Sequence, residues 1–253
     1  MKHNTEKYLL LLEDLDYFSA LNFFEDQLAK KTNDLEIHHS GLAICYSRNN
    51  KLSESKEAIS KAQQFGRVTF LTNIALGLIA EKEGDFILAE KEYEKAVKTG
   101  NNISYSWFMY GTFLLSQKRY NEGMEILLQA EKLNNISWAS KVNLAHLYFQ
   151  LGKYMLAFKY AGSAFILKPN PLTLQVVASC FSKAFSWLPL TLLPVELLAL
   201  TIYPHSVGPL ILLSSVGVFF SIIAYLATRK KTLLFLGLFL VLSCILYFVA
   251  YVN

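Results

Sequence analysis

Few residues in this sequence invite a chemical reading. Glu196 follows Pro194 within an apolar stretch that also holds Pro189. A carboxylate in a membrane span is costly and is a candidate functional site by default. The two prolines would interrupt a helix there and free carbonyl groups to line a polar pocket. The plainer alternative is an interfacial Glu196, or one paired with His205 or with a neighbouring subunit. His205 follows Pro204 at an expected outer loop, where it would simply be solvated. His38 and His39 are adjacent, so on a helix they diverge by about 100° and do not share a metal. His146 has no Ser or Cys nucleophile at a legible spacing. Cys45, Cys180 and Cys244 lie far apart without CxxC spacing, which excludes a disulfide framework or zinc site and predicts buried small side chains. No HExxH, GxSxG, P-loop or GxGxxG pattern occurs. The expectation is a non-enzyme without cofactor or metal.

The elements that would position these residues divide sharply near Pro169 and Pro171. The chain has 253 residues, 53% of them hydrophobic, and a formal net charge of +4. Beyond residue 170 the only charged residues are Lys183, Glu196, Arg229, Lys230 and Lys231. The front part is therefore near-neutral and densely charged, as a soluble helical surface is. Most of the net positive charge sits beside apolar runs, which suggests membrane orientation and argues against nucleic acid, whose binding wants a basic stripe on a folded face. The apolar run Leu9 to Leu12 is followed at once by Glu13 and Asp14, too short for a cleavable signal.

The front part repeats with a period of 34 residues. Leu52, Phe86, Tyr120 and Tyr154 share one column, with Tyr17 one step off register. Ser55, Ala89, Gly123 and Ala157 share the next, led by Ala20. Ala62, Ala96, Ala130 and Ala164 form a third, and Gly77 and Gly111 match with Ala43 and Ala145 as small substitutes. Two helical stretches per 34 residues make a helix–turn–helix, whose small residues mark where the paired helices come closest. The aromatic at the start of the second helix is expected to plug the gap at the turn. Asn49-Asn50, Gly84-Asp85 and Gly152-Lys153 supply turns, and Ser53 and Asn121 are expected N-caps. The strings Asn101 to Ser104 and Asn134 to Ser137 mark joints between units.

These columns resemble the tetratricopeptide repeat family. Trp107 and Gly111 carry its pattern in one unit, and Leu76, Gly77, Ala89, Tyr93 and Ala96 in the preceding one. Leu144, Tyr148, Ala157, Ala164 and Pro169 carry it in the last unit. Leu42, Tyr46, Ile59 and Ala62 carry it in the first, behind a degenerate leader with Ala20 and Phe24. The resemblance covers about two thirds of the chain and implies an all-α solenoid of four to five helix–turn–helix units. It also implies that the first helix of each pair lines a concave groove. The inward positions would be Ile37 and Ile44 in the first unit, with Leu71, Ile74 and Leu78 in the second. Tyr105, Phe108 and Leu115 would follow in the third, and Val142, His146 and Phe149 in the fourth. Ile74, Leu78, Phe108 and Val142 donate no hydrogen bonds, so a clamp for a terminal carboxylate is not expected. An apolar stripe this long is a binding site or a liability. Either a partner's apolar or amphipathic helix fills it, or tight winding or the chain's own segment 172–186 does.

The remainder reads as membrane. The runs 207–227 and 232–252 carry no charge, and each spans ~31 Å as a helix, enough for a bilayer core. The Arg229-Lys230-Lys231 connection between them is expected to be cytoplasmic. A weaker span at 187–204 would place the repeats on that same side, because an even number of spans must then separate them. The expected organisation is a repeat domain at 1–170, a capping helix at 171–186 and two to three transmembrane helices within 187–253, with the C-terminus across the membrane. The expected function is a membrane-anchored scaffold that recruits a protein through the groove and touches lipid through its spans. The alternative is an accessory subunit of a membrane transporter or enzyme, held by its transmembrane helices.

Overall fold

The computed structural model describes residues 2–30 and 34–184. Every element among them is helical: α1 (Lys2–Glu13), α2 (Tyr17–Ala29), α3 (Leu35–Arg48), α4 (Leu52–Gln63), α5 (Phe70–Glu83), α6 (Phe86–Thr99), α7 (Ser104–Ser116), α8 (Tyr120–Leu133), α9 (Trp138–Gln150), α10 (Tyr154–Leu167) and α11 (Pro171–Ala184). No proline precedes Pro169, so nothing in residues 1–168 breaks a helix by losing its N–H. No helix among the described residues is long and apolar enough to cross a membrane. Glu196, His205, Cys244 and the spans expected at 187–204, 207–227 and 232–252 lie outside the described residues.

The chain forms two compact units, Met1–Leu151 and Gly152–Asn253. In the first, α3 pairs with α4, α5 with α6, and α7 with α8, and each pair packs on the next. The small columns of the 34-residue repeat lie where the pairs touch. Ser55, Ala89, Ala62, Ala96 and Ala130 are all fully buried. Gly77 faces the Tyr93 ring, which leaves no more than 3.0–3.1 Å for an added Cβ, and at Gly111 a Cβ would stand 2.6 Å from Leu127. These contacts draw the two helices of each pair together.

A second periodicity lies in the backbone. Leu15, Asn50, Gly84, Lys118 and Gly152 all adopt positive φ, between 56° and 83°. At the first four, the next residue's N–H bonds back to close the helix: Asp16 to Leu11, Lys51 to Tyr46, Asp85 to Ala80 and Arg119 to Leu114, at 2.9–3.0 Å. This is the Schellman arrangement, in which one left-handed residue satisfies the last carbonyls of a helix. The donor then serves as N-cap of the following helix. That hand-off corrects two expectations. Ser53 and Asn121 lie inside the first turns of α4 and α8, whose caps are Lys51 and Arg119. Leu52, Phe86, Tyr120 and Tyr154 do begin α4, α6, α8 and α10, but Phe86 stays 46% exposed and so does not plug the turn.

In the second unit, α11 packs on α10, with the Phe158 and Phe181 rings edge to face at 5.5 Å. Its start is fixed by reciprocal bonds: Thr173 N–H donates to Asn170 Oδ1 at 2.9 Å, and Asn170 N–H donates to Thr173 Oγ1 at 3.1 Å. Ala157 and Ala164 continue the buried small columns here.

Candidate partner-binding groove

The inner helices of the first unit do not present an open apolar trough. Ile44, Leu71, Ile74, Leu78, Tyr105 and Phe108 are buried, with Phe108 the most exposed of them at 5%. Ile37, Leu115, Val142 and Phe149 are half-buried, and His146 is exposed, in contact with Gln150 at 3.1 Å. Helix α3 packs directly on α5, which removes their facing side chains from solvent. Glu36 pins this pair: its Oε1 accepts hydrogen bonds from Ser40 Oγ at 3.3 Å, Thr69 Oγ1 at 2.9 Å and Thr72 Oγ1. Thr69 and Thr72 also form the capping box of α5, so one carboxylate anchors the start of that helix to α3.

The winding also brings units two repeats apart together. Arg48, at the end of α3, lies with its guanidinium 5.8 Å from the Tyr17 ring centroid and its Nη2 3.2 Å from Met109 Sδ on α7. Burial opposes the Arg48 charge, but the surrounding Tyr17, Tyr105, Tyr93 and Glu81 outweigh it and hold its pKa above the ordinary value. Burial, then Tyr17, pushes the Tyr105 phenol well above its ordinary range. Arg48 is thus a cation among aromatic rings, a grouping for packing and π-contact rather than proton transfer near neutral pH.

The N-terminal helix closes this arrangement. Its Tyr8 and Leu12 are buried, and Tyr8 meets Phe24 of α2 at 5.6 Å between centroids. Its opposite edge crosses to the third and fourth units. Asn134 Nδ2 donates to Glu13 Oε2 at 2.7 Å, and the Trp138 indole Nε1 donates to Asp14 Oδ1 at 2.7 Å. A cleft of ≈ 410 Å³ remains beside these bonds, lined by Leu9, Leu10, Glu13, Ile103, Leu133 and Asn134 among others. Burial raises the Glu13 pKa, against the hydrogen bonds from Asn134 and Ser104, which lower it. None of Glu13, Asp14 or Trp138 stands out in the sequence as a site residue, because their partners lie 121 and 124 residues away.

The remaining candidates for chemistry resolve into packing. His38 lies 6.1 Å from Phe24 and His39 6.1 Å from Phe65, so the two rings point to different neighbours. Burial lowers both pKa values. Cys45 and Cys180 are buried free thiols, as their isolation in sequence predicts, and burial pushes Cys45 up to about 12. Among the described residues no group of three or more His, Cys, Asp or Glu could hold a metal ion.

Comparison with known proteins agrees with this architecture. Residues 72–99 and 104–136, which cover the α5–α6 and α7–α8 pairs, match the tetratricopeptide repeat model. In these two units the chain is similar to the tetratricopeptide repeat. The chain is 28% identical over 131 residues to the type IV pilus assembly protein PilF of Pseudomonas aeruginosa, an alignment that covers 51% of this chain and 52% of that protein. It therefore spans about half the length of that relative. The solved Pseudomonas aeruginosa PilF structure superposes with a TM-score of 0.55 at 24% identity, covering 62% of this chain and 72% of that one. The C-terminal part of a TPR repeat-containing protein from Cytophaga hutchinsonii superposes at 0.51 and 17% identity, covering 94% of each chain. At these identities the structures share the fold. Stacked repeats of this kind present extended concave surfaces to protein partners.

Proposed function

We propose that this protein is a non-enzymatic, membrane-anchored adaptor whose repeats recruit a protein partner. The observation that carries this reading is the run of stacked helix pairs, two of which match the tetratricopeptide repeat model. Its likeness to a pilus assembly protein supports a role in building a multiprotein machine. The partner would supply an apolar or amphipathic helix, bound in the helix-in-groove mode. Ile37, Leu115, Val142 and Phe149 are the half-buried groove positions that such a helix would meet first. The uncharged runs 207–227 and 232–252 and the basic connection between them support bilayer anchoring, with that connection cytoplasmic. A third span at 187–204 would put the repeats on the cytoplasmic side and the C-terminus opposite.

The test is a photoreactive residue at Leu115 in intact membranes, followed by mass spectrometry. A crosslink to another protein names the partner and supports the adaptor. Crosslinks confined to this chain would overturn it. A second reading draws on the burial of Ile44, Leu71, Ile74, Leu78, Tyr105 and Phe108, which leaves less groove to bind with. The chain would then be an accessory subunit of a membrane complex, held through the apolar segment that contains Glu196. Partner retention by the spans alone favours this second reading, and retention by the repeats alone favours the first.

A further inference from the structure

The outer face of α10 breaks the pattern of the helices that precede it in the repeat. At about 100° per residue, Met155, Lys159 and Ile166 fall within about 40° of one another, flanked by Leu156 and Leu167. All five are exposed, Met155 at 58% and Ile166 at 80%. The opposite side holds Ala157, Ala161 and Ala164, which are fully buried. Helix α10 is thus seated by small residues and turns large apolar ones outward. In the 34-residue repeat, the column of Ile166 holds Gln64, Lys98 and Lys132, all exposed and all polar. Helix α4 also carries Glu54 and Glu57, α6 carries Glu90 and Glu94, and α8 carries Glu122 and Glu125, whereas α10 carries no acidic residue.

A contiguous apolar face in the open marks an interaction surface, and the charges around it indicate with what. Lys153, Lys159, Lys168 and Lys183 are the only charged residues from 152 to 195. The apolar side chains are therefore accompanied by cations alone. That combination suits the headgroup boundary of an anionic bilayer, where apolar groups sink toward the acyl chains and amines stay with the phosphates. Lys159, in the middle of the face, has the long stem that reaches headgroups from between buried neighbours. The turn after α10 continues the theme, with Leu172 and Leu174 half exposed, and the uncharged stretch 185–195 follows α11 directly in sequence. We propose that the outer face of α10 and the α10–α11 turn lie on the surface of an anionic bilayer, a membrane contact additional to the apolar C-terminal runs. The inference rests on the anchoring part of the adaptor reading and needs none of its protein partner.

Photocrosslinking of the full chain in vesicles of mixed phosphatidylcholine and phosphatidylglycerol tests the contact. A photoreactive residue replaces Ile166, or Gln64 as the matching exposed position of the first unit, and mass spectrometry identifies the adducts. The expected result is a lipid adduct at 166 at least about threefold more abundant than at 64, and reduced in the Lys153→Glu/Lys159→Glu background. Equal lipid yields at 166 and 64 would overturn the proposal. So would adducts at 166 confined to protein, either residues 185–253 of the same chain or a second copy, since protein would then cover the face. A lipid yield indifferent to the charge reversal would overturn the headgroup role of the lysines. Flotation of the same samples separates the two readings. A chain that floats without lipid adducts at 166 keeps the anchoring and loses this contact, and a chain that does not float loses both.

Discussion

The indole N–H of Trp138 donates to the Asp14 carboxylate at 2.7 Å, across 124 residues of chain. Beside it, Asn134 donates to Glu13 at 2.7 Å. A solenoid is ordinarily held by contacts between neighbouring repeats, with stability close to a sum of nearest-neighbour terms. These bonds instead join the first helix to the third and fourth units, so they couple distant repeats. The Asp14 side is solvent-exposed, which limits the gain. A double-mutant cycle of Asp14→Ala and Trp138→Phe should give a coupling of about 0.5–1 kcal/mol. Urea unfolding of all four proteins measures it, and strictly additive midpoints would mean the bond contributes nothing.

Glu13 gives the contact a pH dependence whose sign follows from its surroundings. Burial raises its pKa in the folded chain, and the bonds from Asn134 and Ser104 only partly offset that. A carboxylate with a raised folded pKa costs stability when ionised, so the cost is present at neutral pH and fades as pH falls through the folded value. Glu13→Gln removes the charge and keeps an acceptor for Asn134. The variant should melt above the native chain at pH 7, and the advantage should vanish below the ordinary carboxylate range. A variant that melts lower at pH 7 would show that the hydrogen bonds outweigh the desolvation.

The left-handed positions make a cleaner test, because three of the five residues there are not glycine. Lys118 has φ 60° and an exposed side chain, and follows the Gln117 C-cap of α7. A side chain with a Cβ pays about 1 kcal/mol or more for this conformation, whereas glycine adopts it freely at some cost in unfolded-state entropy. Lys118→Gly should therefore stabilise the chain by roughly 0.5–1 kcal/mol. Gly84→Ala, at φ 83°, should destabilise by a similar amount. The two shifts in denaturation midpoint must have opposite signs.

Which parts of this fold were legible follows from how far each determinant reaches. The alanine columns at 62, 96, 130 and 164 repeat in register, and all four residues are fully buried. Gly84 and Asn50 announce turns by residue type, and both take positive φ. Leu15 and Lys118 take the same conformation with no such sign, because the repeat geometry imposes it. Ser53 and Asn121 mislead for the same reason: the Schellman hand-off fixes the cap two residues earlier, at Lys51 and Arg119. The depth of the expected groove positions was not legible. Ile74 on α5 and Phe108 on α7 are buried, and their burial depends on how tightly successive helix pairs pack. That packing rests in part on Glu13, Asp14, Asn134 and Trp138, whose pairing no local pattern reveals.

The close approach of α7 to α8 depends on Gly111. A Cβ there would stand 2.6 Å from Leu127 Cγ and 2.8 Å from its Cδ2, and Leu127 is itself fully buried. Overpacking of this kind forces off-rotamer side chains or a shift of backbone, at about 1–3 kcal/mol. At Gly77 the neighbour is the rigid Tyr93 ring at 3.0–3.1 Å, a milder but less yielding contact. Gly111→Ala should thus destabilise by about 1–3 kcal/mol. Adding Leu127→Val should restore part of that loss, since the smaller side chain frees the space the new methyl needs. Leu127→Val alone removes buried methylene contact and should itself destabilise by about 1 kcal/mol. A double variant more stable than the Gly111→Ala single therefore identifies the clash as steric. Losses that simply add would place the cost of Gly111→Ala elsewhere in the helix pair.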